Sequence, residues 1–263
     1  MSAVSPHQAA PTDQAAKQST YGRRGTPHLA SAVRWVILAG TALALLLTGC
    51  TATTPGHPAA APDLGRWQPP LILPPQMAGM LLSETDVNTI GHTTAMAVRK
   101  PISRMWHDEG LVSDTSCLDI YSPAEATVYQ GSNWTALQGQ ILDDGAPTAP
   151  EHALVQALIG FRDADSAQQF FSQAKTRWSS CANRSLTVTS PGHAPITWYL
   201  GQPQVSDTTL ATTQTQAGGR GPTCQRAIGL ANNVIIDTLW CGFDTTSQAS
   251  DIVNKTAAAI SQA

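Results

Sequence analysis

The clearest pattern along the chain is a helical one. Between Asp163 and Cys181, Ala167, Phe170, Phe171, Ala174, Trp178 and Cys181 fall at offsets of 0, 3, 4, 7, 11 and 14. That spacing marks one face of a 3.6-residue period and predicts a long amphipathic helix. Ala249, Ile252, Val253, Thr256, Ala257 and Ile260 repeat the spacing and predict a second helix over 246–261. Ser83 followed by Glu84 and Asp86 starts a short helix over Leu82–Ile90. Ser122-Pro123-Ala124-Glu125 predicts another, with Ser at the cap and Pro at the first helical position. Strand-like runs cover 94–99, 111–120, 135–142, 153–161, 185–189, 196–200, 205–215, 224–231 and 234–241. The runs at 135–142 and 153–161 flank the turn-rich Asp143-Asp144-Gly145-Ala146-Pro147. Helices interrupting antiparallel hairpins predict an α+β fold, a single domain with one antiparallel sheet and helices packed on it. No internal repeat is visible.

The N-terminal pattern is of a different kind. Residues 1–34 are polar and carry Lys17, Arg23, Arg24 and Arg34 against one acid, Asp13. An apolar run from Trp35 to Leu47 follows and ends in Leu47-Thr48-Gly49-Cys50. As a helix that run would rise about 20 Å, short of the ~30 Å hydrocarbon core of a bilayer. A basic segment, a short apolar run and small residues before a cysteine predict a signal peptide over 1–49. The ending resembles the lipobox of bacterial lipoproteins, which implies diacylglyceryl transfer to Cys50 and a mature chain beginning there. The alternative is an uncleaved signal anchor. Residues 50–76 are rich in Pro, Ala and Thr without a period and read as an extended tether, which leaves 77–263 as the domain. Within the tether, Trp67 and Leu71-Ile72-Leu73 are expected to dock back on the domain rather than on lipid.

Composition narrows the class. The chain has 263 residues, 42% hydrophobic and 13% charged, without a Gly-X-Y period, a long heptad run or repeated apolar 20-mers. Its formal charge of −3 becomes −6 once residues 1–49 are removed, and no basic stripe exists to neutralise phosphates. A nucleic-acid partner is therefore not expected. An acidic domain with cysteines fits an oxidising compartment outside the membrane.

With Cys50 assigned to lipid, Cys117, Cys181, Cys224 and Cys241 remain, and four cysteines allow three connectivities. The stretch from Cys224 to Cys241 is symmetric about Asn232-Asn233, a pair suited to a two-residue I′ turn. Counting outward from an Ala231–Val234 pair puts Cys224 opposite Cys241 at a non-hydrogen-bonded position, inside disulfide range. Cys117–Cys181 is then the second bridge. In the same register Arg226 and Asp237 are diagonal neighbours on the face of the two cysteines. A zinc site would need C-x2-C pairs, which are absent.

Several segments carry a resemblance in order and spacing. They are Leu81-Leu82-Ser83-Glu84-Thr85-Asp86-Val87-Asn88, Cys117, Tyr121-Ser122-Pro123-Ala124-Glu125-Ala126, Tyr129-Gln130-Gly131-Ser132-Asn133-Trp134, the Phe161–Cys181 stretch, and Cys224 with Cys241. Over about residues 70–263 the chain resembles the extracytoplasmic sensor domain of the mycobacterial PknH-type Ser/Thr kinases. The resemblance implies an α+β fold on an antiparallel sheet, the two bridges paired as above, and a large cleft for a ligand. No kinase motifs accompany it here, so the expectation is ligand capture rather than signalling across the membrane.

The search for catalytic and metal chemistry returns little. No G-x-S-x-G, H-E-x-x-H or phosphate-cradling glycine loop is present. His107-Asp108-Glu109 reads as a solvated loop after Trp106, with a metal or acid–base role as the alternative. His92, His152 and His193 have no partner at ligand spacing, and Gly218-Gly219-Arg220-Gly221-Pro222 reads as a loop. Trp134 and Trp198-Tyr199 are candidate pocket walls. The expectation is a binding or sensor module without cofactor or metal. It is anchored by lipid to the extracytoplasmic face of the cell membrane and captures an envelope lipid or glycan. The cleft is expected between the sheet and the helix near Ser122–Trp134. The alternative is a hydrolase of the cell wall or its lipids.

Overall fold

Nine strands form one antiparallel sheet among the described residues of the computed structural model, which are 69–145, 150–219 and 221–263. In chain order they are β1 (Ala97–Ile102), β2 (Trp134–Asp143), β3 (His152–Phe161), β4 (Arg184–Val188), β5 (Ile196–Leu200), β6 (Gln204–Val205), β7 (Thr209–Gln216), β8 (Thr223–Ala231) and β9 (Val234–Gly242). Their order across the sheet is β1-β2-β3-β9-β8-β7-β5-β4, with β6 paired to β7. Helices cover both faces: α1 (Pro74–Met77), α2 (Glu84–Gly91), α3 (Leu118–Tyr121), α4 (Ala126–Tyr129), α5 (Ala164–Cys181) and α6 (Gln248–Ile260).

On one face α1, α2 and α6 pack through Met77, Val87, Ile252, Val253 and Ile260 onto Leu154, Leu158, Ile236 and Trp240. Gly229 lies directly beneath Val253, where a Cβ would collide with that side chain, so the glycine sets how closely α6 approaches β8. The other face receives α5 and a cap, residues 103–133, through Phe170, Phe171, Trp178, Ile120 and Tyr129 against Ile159, Phe161 and Ile228. Asp163 caps α5, its carboxylate accepting from the Ser166 N–H at 2.7 Å. The expected apolar face of α5 is the buried one.

Three local expectations are corrected. Residues 111–120 are not a strand; only Val112 makes a bridge, to Val188. Asp114 instead accepts from the Ser116 N–H and starts a 3-10 turn at Thr115–Cys117 that runs into α3. Ser122 does not cap a helix. Its N–H closes α3 on Leu118, its hydroxyl donates to Glu125, and Ala124 takes a positive φ of 54°, so helix resumes only at Ala126. The run 205–215 is broken by a turn in which three hydrogen bonds join Ser206 and Thr209, folding β6 back on β7.

The terminal hairpin has the predicted register, with Ala231 opposite Val234 and Cys224 opposite Cys241. Its turn differs from type I′, since only Asn232 has positive φ. Asn233 is recruited elsewhere: its amide holds the Phe161 carbonyl and both backbone groups of Ile72. Ile72 is buried, so the packed structure begins upstream of residue 77, while Leu71 and Leu73 stay exposed. Both disulfides, Cys117–Cys181 and Cys224–Cys241, are formed. The segments expected to be signal peptide and, through Gln68, tether, with Cys50 between them, lie outside the described residues.

Candidate functional site

The cap is irregular backbone laid over a sheet, and its peptide groups find partners on the sheet's side chains. Asp237 of β9 accepts from the Ala124 N–H at 2.9 Å and the Tyr129 hydroxyl at 2.7 Å. Arg226 of β8 forms an ion pair with Asp237, donates to the Ser122 carbonyl, and stands over the Trp178 ring. Both charged side chains are buried. This is the diagonal pair the hairpin register predicts. Burial pushes the Asp237 carboxyl up, while the Arg226 guanidinium and the two hydrogen bonds pull it down. Gln214 of β7 donates to the carbonyls of Ile120 and Tyr121.

Above this layer sits a second carboxylate without a cation. Glu125 is buried, accepting from the Ser122 hydroxyl at 2.7 Å and the Asp108 N–H at 3.2 Å. Burial raises its pKa, with Asp108 and Glu109 adding to the effect against those two hydrogen bonds. Tyr121 is pushed up to about 12 by burial and by the same carboxylates, Asp108 and Glu125.

Beside the cap, a groove of about 510 Å³ is lined by Glu109, Thr115, Ser116, Asp119, Thr127, Val128 and Arg177. Its size is that of a small-molecule site. One wall is α5, which supplies Arg177; the other is the cap, from the 3-10 turn, α3 and α4. Cys117–Cys181 ties these walls together one residue from Ser116 and four from Arg177. Across the groove Arg177 Nε donates to Asp119 at 2.7 Å, with Asp119 buried and Arg177 partly exposed. Arg177 Nη2 and Glu109 Oε2 are enclosed without a hydrogen-bond partner. The Ser116 hydroxyl donates to Asp114, and no histidine lines the groove.

The cleft expectation near Ser122–Trp134 is met only in part. Thr127 and Val128 line the groove, but it lies between cap and α5 rather than between sheet and helix. The proposed aromatic walls are elsewhere: Trp134 and Tyr199 are exposed, and Trp198 packs on Tyr121 with ring centroids 6.3 Å apart. His107 is an exposed loop residue 3.7 Å from Glu109. His92 ends α2 with φ 52°, and His193 is exposed. His152 is the histidine whose setting spacing did not reveal. Its ring bonds Asp144 at one nitrogen and Asp244 at the other, 2.9 Å each, residues 8 and 92 positions away. Glu151 stands with Asp144 and His152 close enough for all three to hold one ion, although both ring nitrogens are already engaged by carboxylates. Arg177 and Asp119 were equally hidden, because only the folded cap brings residues 58 apart into contact.

Among the described residues no helix is long and apolar enough to cross a membrane. Comparison with known proteins places this architecture. The PknH-like extracellular domain family matches residues 74–259. Serine/threonine-protein kinase PknH of Mycobacterium tuberculosis H37Rv is 30% identical over 230 residues, covering 84% of this chain and 35% of the kinase. Serine/threonine-protein kinase PknJ of the same strain is 24% identical over 176 residues, covering 64% of this chain and 29% of the kinase. The chain thus spans about a third of the length of these relatives. The crystal structure of the extracellular domain of PknH from Mycobacterium tuberculosis superposes with a TM-score of 0.71 at 29% identity, covering 74% of this chain and 99% of that one. The chain belongs to the PknH-like extracellular domain family.

Proposed function

We propose that this protein is a lipid-anchored extracytoplasmic sensor module that captures an envelope ligand, lipid or glycan, in the groove between the cap and α5. The observation that carries the reading is the groove itself: ligand-sized, of mixed polar and apolar lining, and bounded by two walls that a disulfide holds at fixed spacing. A site held in place by a covalent staple is preorganised, which lowers the ordering cost of binding. Membership of an extracellular domain family supports the location, and the Leu47-Thr48-Gly49-Cys50 ending supports the anchor. The test is to expose the full chain to fractionated envelope lipids and glycans. Hydrogen exchange is then read over residues 115–128 and 173–181. Protection confined to those segments, without product, is the expected result. Product that disappears when Ser116 or Thr127 is replaced would move the assignment to a hydrolase.

A further inference from the structure

The lining of the groove restricts the chemistry of what it takes. Arg177 is the one cation among the lining residues, and Asp119 already neutralises it at 2.7 Å. Glu109 then leaves the lining with an excess negative charge, which repels phosphate, sulfate or carboxylate groups. The apolar part of the lining is Val128 together with the threonine methyls and the Arg177 stem, patches broken up by hydroxyls that suit the C–H faces of a sugar ring better than a continuous acyl chain. What remains is hydrogen-bonding capacity of both signs. Thr115, Ser116 and Thr127 are exposed; the two threonine hydroxyls can donate or accept, while Ser116, whose proton goes to Asp114, can accept. Arg177 Nη2 is a donor without an acceptor, and Glu109 Oε2 an acceptor without a donor. Both residues line the groove with side chains 30% and 37% exposed, so each group also presents accessible atoms to it beside the enclosed ones. From this juxtaposition we infer that the groove binds a neutral polyhydroxylated ligand, a glycan terminus. Adjacent hydroxyls on such a ligand accept from Arg177 and donate to Glu109. The inference rests on the binding reading above and names its ligand class.

The experiment presents the full chain, in detergent, to an array of neutral oligosaccharides alongside uronic-acid and sulfated counterparts. A total envelope extract is run in parallel as the control for binding of any kind. Neutral glycans are expected to bind in preference to charged ones. Arg177→Leu is expected to weaken them by at least about tenfold, the worth of one hydrogen bond to a charged group. Glu109→Gln is expected to reduce the discrimination against uronic acids as well as the affinity. Thr127→Val, at an exposed position, supplies a variant that keeps the fold, and it should weaken binding by about threefold to tenfold. Preference for the charged glycans, or neutral binding indifferent to all three substitutions, overturns the ligand class. Protection of the groove by the extract but by no neutral glycan does the same while leaving the binding reading intact. Protection by neither overturns both.

Discussion

The two faces of the sheet solve the same problem with different materials. The face under α1, α2 and α6 is covered by helices whose backbone is satisfied internally, and its buried polar groups are neutral, among them Gln156, Gln225, Thr238, Gln248 and Thr256. The cap face is covered by α5 and, beside it, by a cap of short turns and irregular chain, and every charged residue buried among the described residues lies there: Asp119, Glu125, Arg226 and Asp237. The difference follows from the backbone. A helix brings its own hydrogen bonds, whereas the cap brings N–H and C=O groups that need acceptors and donors away from water. Asp237, Arg226 and Gln214 supply them from the sheet. A cover of short pieces also leaves gaps, and the groove is one of them. The face that is harder to build is the face that carries the groove.

The sharpest way to break this comparison is to remove one member of the buried pair. Asp237→Ala leaves Arg226 charged and unpaired, and leaves the Ala124 N–H and Tyr129 hydroxyl without their acceptor. The expected cost is about 3–5 kcal/mol, read as a shift of the urea midpoint. Replacing Arg226 and Asp237 together by Met and Leu should recover the part due to the unpaired charge, but not the part due to the Ala124 N–H and Tyr129 hydroxyl. The cap should nevertheless exchange its amide protons faster, because Ala124 and Ser122 lose their sheet partners. A single Asp237→Ala cost below about 1 kcal/mol would mean that the charges do not hold the cap.

The second test separates the groove from the rest of the face. Cys117→Ala with Cys181→Ala removes the bridge between the groove walls, which are 64 residues apart in sequence. A loss of about 2–4 kcal/mol is expected. The larger effect should be local, with α3 and the 3-10 turn gaining hydrogen exchange while α6 does not change. Equal exchange gain in α6 would show that the two faces are one cooperative unit.

On the helical face the expected sensitivity is to volume rather than charge. Gly229→Ala adds a methyl group where Val253 already sits, so α6 must lift from β8. The expected cost is about 1–3 kcal/mol, measured by thermal or urea unfolding, with the cap-face exchange pattern preserved. A neutral result would mean that α6 is not seated as closely as the glycine implies.

What was legible in the sequence divides between the regular elements and the cap. α5 and α6 could be read because their buried residues repeat at 3.6, and the β8–β9 register because the chain is symmetric about Asn232-Asn233. Cys224–Cys241 and the Arg226–Asp237 diagonal followed from that register. The cap could not be read so well. Residues 111–125 are apolar enough for a strand or a helix, and what decided between them was tertiary: Asp114 turning the chain, and Asp237 holding Ala124 in a left-handed conformation. No periodicity records such contacts. The groove shared that obscurity, since its lining comes from residues 109 to 128 and one turn of α5.

The smallest expected effect concerns His152, which joins the β2–β3 hairpin to the loop after β9 at the edge of both faces. Burial disfavours charge on its ring, but the hydrogen bonds to Asp144 and Asp244 together outweigh it and raise its pKa. Glu151 stands beside it, and the Trp240 ring, with its centroid 5.8 Å away, brings no charge. A histidine whose pKa is higher in the folded state stabilises that state fully below its unfolded pKa. The contribution fades as pH rises through the folded pKa. The window therefore opens near pH ~6.5, the ordinary histidine value, and extends upward. Asp244 is 64% exposed, so solvent screens its share and the whole contribution should stay below about 1 kcal/mol. Urea midpoints measured between pH 5.5 and 8.5 should fall slightly with rising pH. The Asp244→Asn variant should flatten the slope, and His152→Gln should abolish it. A slope that survives His152→Gln would assign the pH dependence to another group, and the clip would then be a packing contact without electrostatic consequence.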